Sequence, residues 1–199
     1  MADDKDLYLP ETQNRAPDAP SILIITADKC EDLEFFYPYY RFIEAGYRVD
    51  VATPEGGSFK GKQGLELKSS RKLEDIDPEI YKLLYLPGGK APAALKKNDK
   101  ALEVAKFFAK NGKLIAAICH GPQILAAADV IRGRRIAGWP EIKDEITEAG
   151  AEYADEETVL DGPFITARMP GDLPSHVRQT LETFAEYLQS SKKAVSSAA

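Results

Sequence analysis

The sequence predicts an α/β domain: a mainly parallel sheet with helices on both faces. Three observations carry that expectation. Apolar runs such as Ser21-Ile22-Leu23-Ile24-Ile25-Thr26 show no polar alternation, the pattern of strands covered on both sides. Such runs alternate with stretches of helical character, the order that βαβ units produce. One run, Lys113-Leu114-Ile115-Ala116-Ala117-Ile118, leads straight into Cys119 and then into a helical segment, the strand-turn-helix layout of a nucleophile elbow.

The first strand is residues 21–26. The loop Ala27-Asp28-Lys29-Cys30 leads to a helix from Glu31 to about Ala45, which Gly46 stops. Tyr47-Arg48-Val49-Asp50-Val51-Ala52 is the second strand. The glycines of Phe59–Leu67 favour a short hairpin over a helix. Tyr81-Lys82-Leu83-Leu84-Tyr85-Leu86 is a strand closed by Pro87-Gly88-Gly89. Asp99 to Asn111 is helical, with Leu102, Val104, Ala105, Phe107 and Phe108 as its apolar side. After the elbow, Ile136-Ala137-Gly138-Trp139 is a short strand or loop and Glu141 to Ala149 a helix. Val159-Leu160 and Phe164-Ile165-Thr166-Ala167 form a hairpin, and a last helix runs from about Asp172 to Leu188. Three segments are expected: a flexible arm over residues 1–20, the domain over 21–189, and a small polar disordered tail over 190–199. Tyr8-Leu9-Pro10 is the arm's one apolar point for docking.

The elbow carries the chemistry. Ala117 and Gly121 flank Cys119 with small side chains, so the backbone folds back without clash. Pro122 suits a first helical turn. A thiol at a helix N-terminus faces free N–H groups, which favours the thiolate and lowers the thiol pKa from about 8.5. His120 stands next to it as base or neighbouring cation.

Composition narrows the classes. The chain has 199 residues and a net charge of −6. Residues 1–20 carry five acids against Lys5 and Arg15, half of that excess, so the domain is close to balanced. No basic footprint for gripping nucleic acid is present, and no apolar run reaches the roughly 18 residues of a membrane span. The acidic start lacks a secretory h-region. Two cysteines do not make a disulfide framework, and a reduced, cytoplasmic setting is expected. Cys30, Cys119, His120 and His176 have no metal-ligand spacing. No Walker loop and no G-x-G-x-x-G occur, so neither metal nor cofactor is expected. His176, at the start of the last helix, reads as a surface residue.

Ala117-Ile118-Cys119-His120-Gly121-Pro122-Gln123 resembles the elbow of the PfpI/ThiJ superfamily. Three further stretches agree in order: Cys30-Glu31-Asp32-Leu33-Glu34, Leu86-Pro87-Gly88-Gly89-Lys90-Ala91-Pro92, and Arg168-Met169-Pro170-Gly171-Asp172-Leu173-Pro174. The likeness runs from about Ser21 to about Leu188 and is closest to the PfpI-like branch. It implies a flavodoxin-like three-layer sandwich of the class I glutamine amidotransferase-like kind. It also implies that the loops after residues 26, 86 and 118 surround one pocket.

By that resemblance Glu31 is the acid that hydrogen-bonds Cys119. A carboxyl beside a thiolate must hold the proton, which makes Glu31 the proton shuttle and leaves Asp32 and Glu34 as ordinary outer-helix acids. Gly88-Gly89 reads either as a simple turn or as part of an oxyanion hole built from the N–H groups of Gly89 and His120. Trp139 and Arg168 are candidate rim residues, with Gly88. The leading activity is glyoxalase III-type or deglycase action on methylglyoxal, glyoxal or glycated amino groups, protective under stress. The alternatives are a cysteine peptidase or amidase and a non-enzymatic thiol redox sensor. The resemblance further implies a homodimer or higher homo-oligomer. One departure stands out: the position of the third, acidic triad member of PfpI-like peptidases holds Ala93.

Overall fold

The structure, a computed structural model, describes residues 19–197. The expected arm over residues 1–20, with Tyr8-Leu9-Pro10, lies almost wholly outside them. Seven strands build the main sheet: β1 (Ser21–Ile25), β2 (Arg48–Thr53), β5 (Arg71–Lys72), β6 (Tyr81–Leu86), β7 (Leu114–Ile118), β10 (Val159–Asp161) and β11 (Phe164–Ala167). Their order is β10-β11-β7-β6-β1-β2-β5. Every neighbouring pair is parallel except the hairpin β10-β11. The continuous apolar runs sit where burial on both faces requires them: β1, β6 and β7 are central, and all five residues of β7 are buried.

Helices α1 (Asp32–Glu44) and α6 (Leu173–Ser197) pack together on one face of the sheet. The α2 (Ala91–Leu95), α3 (Asp99–Lys110), α4 (Pro122–Ala127) and α5 (Lys143–Glu148) helices associate on the other. The glycine-rich stretch after β2 is the expected hairpin, β3 (Ser58–Lys60) against β4 (Glu66–Lys68). A two-stranded pair, β8 (Arg135–Ile136) with β9 (Glu152–Tyr153), flanks α5. Its strands are too short to leave a periodicity in the sequence.

One end point differs from expectation. The last helix does not stop near Leu188 but continues to Ser197, through residues expected to form a disordered tail. Nothing in Gln189-Ser190-Ser191-Lys192-Lys193 breaks a helix: there is no Gly or Pro, and Ser190 and Ser191 turn their hydroxyls onto the carbonyls of Glu186 and Tyr187.

Candidate active site

The site lies at the carboxyl ends of β1, β6 and β7, and the elbow comes first. β7 ends at Ile118, and Cys119 follows with φ 60°, in the left-handed region that a non-glycine residue rarely occupies. Its neighbours hold it there. Cys119 N–H donates to Ala167 O at 3.0 Å, Trp139 N–H to Cys119 O at 2.9 Å, and Gly121 N–H to Ile118 O at 2.8 Å. A side chain at position 121 would collide with the Leu86 carbonyl and come within 2.9 Å of Ile118 O, so only glycine lets the turn close.

Around the sulfur the structure reassigns the acid. Glu34, one turn into α1, is fully buried; its Oε2 accepts the Gly88 N–H at 2.8 Å, and its carboxyl is hydrogen-bonded to the Cys119 thiol. Glu31 was expected in that place. Instead it sits at the entry of α1, and its Oε2 lies 3.0 Å from Lys62 Nζ, on the turn between β3 and β4. Glu34 and Asp32 are therefore not outer-helix acids. Asp32 is buried and accepts the Gln63 N–H at 2.9 Å, tying the hairpin to α1. Positions 31 and 34 are three apart and share a helix face. Spacing alone does not say which of the two reaches inward, and burial decides it.

Burial pushes the Glu34 carboxyl up to about 7. The Cys119 thiol is pushed up as well, by burial first and by the negative charge of Glu34 second. Sequence reasoning expected the opposite shift from the helix N-terminus. That helix, α4, is only six residues long, and its field does not offset desolvation. The N–H groups of Gly89 and His120 do point at the sulfur and favour its anion. Thiol and carboxyl thus compete for one proton. When Glu34 holds it, the main charge opposing the thiolate disappears.

His120 Nδ1 lies 3.2 Å from Cys119 Sγ, and the ring stacks on Trp139 at 6.3 Å. Burial lowers its pKa. Among the described residues no carboxylate hydrogen-bonds the His120 ring; the acids acting on it from a distance are Glu141 and Glu145.

These groups open into a cleft of about 460 Å³ lined by Glu34, Gly89, Cys119, His120, Trp139 and Glu141, with Glu31, Lys62 and Lys90 also on its border, so Glu31 stays in the site without being the acid beside the sulfur. Gly88 lies behind it: a side chain there would come within 2.5 Å of Glu34 Oε2 and 2.7 Å of Cys119 Cβ. Arg168, expected at the rim, does not border the cleft. Its guanidinium grips both oxygens of Asp172, at 2.9 and 3.1 Å, and Asp155 at 2.8 Å. His176, expected at the surface, is fully buried against Tyr85. Glu34, Lys62 and Glu141 were missed by sequence reading; Lys62 and Glu141 stand on a hairpin and a 3-10 turn whose approach to the cleft leaves no local pattern. Among the described residues no group of three His, Cys, Asp or Glu side chains is arranged to hold a metal.

The DJ-1/PfpI family model matches residues 20–183. The chain belongs to this family. It is 44% identical to a deglycase of Pyrococcus abyssi over 79% of this chain and 95% of that protein. It is 36% identical to protein/nucleic acid deglycase 2 of Escherichia coli over 80% of this chain and 95% of that protein. Among solved structures, a two-domain Anabaena variabilis protein with DJ-1/ThiJ/PfpI-like and ferritin-like domains superposes with TM-score 0.81 at 32% identity. That match covers 83% of this chain and spans half of the Anabaena chain. No helix among the described residues is long and apolar enough to cross a membrane.

Proposed function

We propose that this chain is a deglycase with glyoxalase III-type chemistry, acting on methylglyoxal, glyoxal and the adducts they form with amino groups. The observation that carries this reading is the pairing at the elbow. One sulfur meets the Glu34 carboxyl on one side and the N–H groups of Gly89 and His120 on the other. Family membership and the deglycase relatives support it.

In this reading Cys119 Sγ adds to the aldehyde carbon. The C–S bond forms, the carbonyl π electrons move to oxygen, and that oxygen takes the proton held by Glu34. The developing oxyanion forms beside the N–H groups of Gly89 and His120, where fixed donors stabilise it most. The hemithioacetal C–H proton then passes through Glu34 or His120 to the neighbouring carbonyl carbon, leaving a thioester. Water cleaves the thioester to lactate or glycolate and frees the thiol. Net, one aldehyde and one water give one hydroxy acid, with no external oxidant. On a glycated amine the amino group departs as the adduct carbon passes to sulfur.

A cysteine peptidase is the second reading, favoured by the 3.2 Å contact between Cys119 Sγ and His120 Nδ1. A homo-oligomer and a role in stress protection belong to the first reading. The test is turnover of purified protein with methylglyoxal and with a methylglyoxal-treated lysine peptide. Wild type is expected to release lactate from both and Cys119→Ala from neither. Equal lactate from both proteins would end the proposal.

A further inference from the structure

The two N–H groups that face the Cys119 sulfur come from different segments. Gly89 lies in the loop after β6, and His120 follows the nucleophile after β7. The Gly89 side is anchored to the loop after β1: Gly89 forms an isolated bridge with Cys30, and Lys90 N–H donates to Lys29 O at 2.8 Å. From there α2 runs directly on to Lys96, the residue that caps its end. The His120 side opens α4, a helix of six residues with no side-chain cap at its start. Gln123 stands in its first turn, with its N–H on His120 O at 3.0 Å and its side chain buried. Both segments converge on one carboxylate of α5. Glu145 accepts Gln123 Nε2 on one oxygen at 2.7 Å and Lys96 Nζ on the other at 2.7 Å.

We propose that Glu145 is a positioning residue that sets the separation of the Gly89 and His120 N–H groups. This rests on the oxyanion role given to those groups above. The sheet already joins the two segments, because β6 pairs with β7 as far as Leu86 and Ala117. Beyond that point each chain leaves its strand, and Glu145 links them again on the helix side. A carboxylate has two oxygens, so it holds both donors at once in a fixed relation. The Gln123 amide is buried, and losing its acceptor is costly. Without Glu145 the first turn of α4 must shift to satisfy it, and His120 moves with that turn through its carbonyl. Stabilising an oxyanion depends on fixed donors at hydrogen-bond distance, so a small displacement matters. The Lys96 and Glu145 side chains are both partly exposed, and such an ion pair contributes little to stability. Its value here is geometric. Glu145 also bears on His120 by charge, and the experiment has to separate that influence from the tether. The charges acting on Cys119 itself, Glu34 from α1 and Lys62 from the hairpin, stay unchanged throughout.

Two variants lose the same charge and differ in hydrogen bonding. Glu145→Ala removes both acceptors. Glu145→Gln keeps an oxygen for Lys96 and offers an N–H to the Gln123 amide oxygen. The first readout is the rate at which iodoacetamide alkylates Cys119 at one fixed pH, because donors aimed at the sulfur favour the reactive thiolate. Glu145→Ala is expected to react about threefold to tenfold more slowly than Glu145→Gln, the scale of half to one whole pKa unit. Loss of the negative charge alone would speed both variants equally, and a looser cleft would speed Glu145→Ala. The second readout is methylglyoxal turnover. Glu145→Ala is expected to lose about tenfold in kcat with KM unchanged, while Glu145→Gln stays within about twofold of wild type. Equal alkylation rates in the two variants would overturn the proposal. Gln123→Leu cuts the tether with no change of charge and is expected to slow alkylation as Glu145→Ala does. Should Glu145→Ala fail to fold, that variant decides, and a wild-type rate there overturns the proposal. A wild type that alkylates at Cys119 but forms no lactate would end the deglycase reading, and the alkylation comparison would still decide on Glu145.

Discussion

Lys62 Nζ stands 3.0 Å from Glu31 Oε2, and this pair holds Glu31 on the border of the cleft that Cys119 also lines. The lysine side chain is half exposed while the glutamate is largely covered, so the pair sits at the boundary between cleft and solvent. One turn further along, Glu34 makes no salt bridge among the described residues; its carboxyl meets the Gly88 N–H and the thiol, and Lys62 acts on it only through space. Two acids on one helix face therefore have opposite electrostatic settings. One sits in a partly exposed salt bridge, the other is a buried carboxyl that burial raises to about 7.

Glu34→Gln is expected to lower turnover of methylglyoxal by 10²–10⁴-fold, the usual loss for a positioned proton carrier. Glu31→Gln, which only loosens a partly exposed ion pair, is expected to stay within about tenfold, because such pairs contribute at most about 1 kcal/mol. Steady-state kinetics on the two variants checks this. Equal losses would return the catalytic role to Glu31.

Stability should depend on pH through Glu34 in a defined direction. Burial raises its folded pKa from 4.5 to about 7. Between those values the native chain binds more protons than the unfolded one. The favourable contribution is complete below about 4.5 and is lost as pH rises through 7, with a limiting slope of about 1.4 kcal/mol per unit. His176 acts in the opposite sense, because burial lowers its pKa from 6.5 to about 3 and stability falls as pH drops through that window. The measurement therefore compares variants: denaturation midpoints of wild type minus Glu34→Gln should decline from pH 5 to pH 8. A flat difference would refute the shift.

Much of this was legible in the chain. The apolar runs 21–26, 81–86 and 113–118 named the central strands, and the Cys119 turn named the site, because both leave local patterns. Burial of a single polar residue leaves none. Glu31 and Glu34 look alike at helical spacing, and only the approach of Gly88 separates them. His176 is itself polar and stands between Ser175 and Val177, yet α6 turns that position inward against Tyr85. Arg168 sits in a loop that resembles the family site, but its fork is satisfied by Asp172 and Asp155 before it can reach the cleft.

Gly88→Ala should damage the site more than the fold. The added carbon would lie 2.5 Å from Glu34 Oε2 and 2.7 Å from Cys119 Cβ, closer than real contacts allow. Overpacking of this kind costs about 1–3 kcal/mol, and relief must come from moving the carboxyl or the elbow. Turnover is expected to fall at least 100-fold, on the scale seen when a reacting group is misplaced by about 1 Å. A variant with wild-type kcat would show that the close packing of Gly88, Glu34 and Cys119 is not needed.

Cys119, not Cys30, should be the thiol that reacts. Burial raises both thiols, so access decides between them: Cys30 is fully buried and does not line the cleft. Cys119 borders the cleft and has a carboxyl able to take its proton. Iodoacetamide labelling followed by peptide mass is expected to modify Cys119 at least tenfold faster near neutral pH, a margin of about 1.4 kcal/mol. Faster labelling of Cys30 would contradict the assignment.

Peptide hydrolysis should be weak or absent. Breaking an amide needs an imidazolium that protonates a poor amine leaving group, and an acid hydrogen-bonded to the imidazole is what orients and stabilises it. Here the His120 ring has the thiol at 3.2 Å and Trp139 stacked against it, and burial lowers its pKa, so the imidazolium is disfavoured. Glu141 and Glu145 oppose that shift only through space. Ala93, where the third triad acid would stand, is exposed on α2 and has no carboxyl to offer. In the proposed mechanism carbonyl addition escapes the requirement, because there Glu34 supplies the proton. The expected result is lactate formation from methylglyoxal without cleavage of casein under the same conditions. Ala93→Glu should raise casein cleavage only where a second copy of the chain brings that carboxylate to His120, which light scattering on the same sample would reveal as a dimer or larger. Robust casein cleavage by wild type, abolished in Cys119→Ala, would make the peptidase reading the correct one.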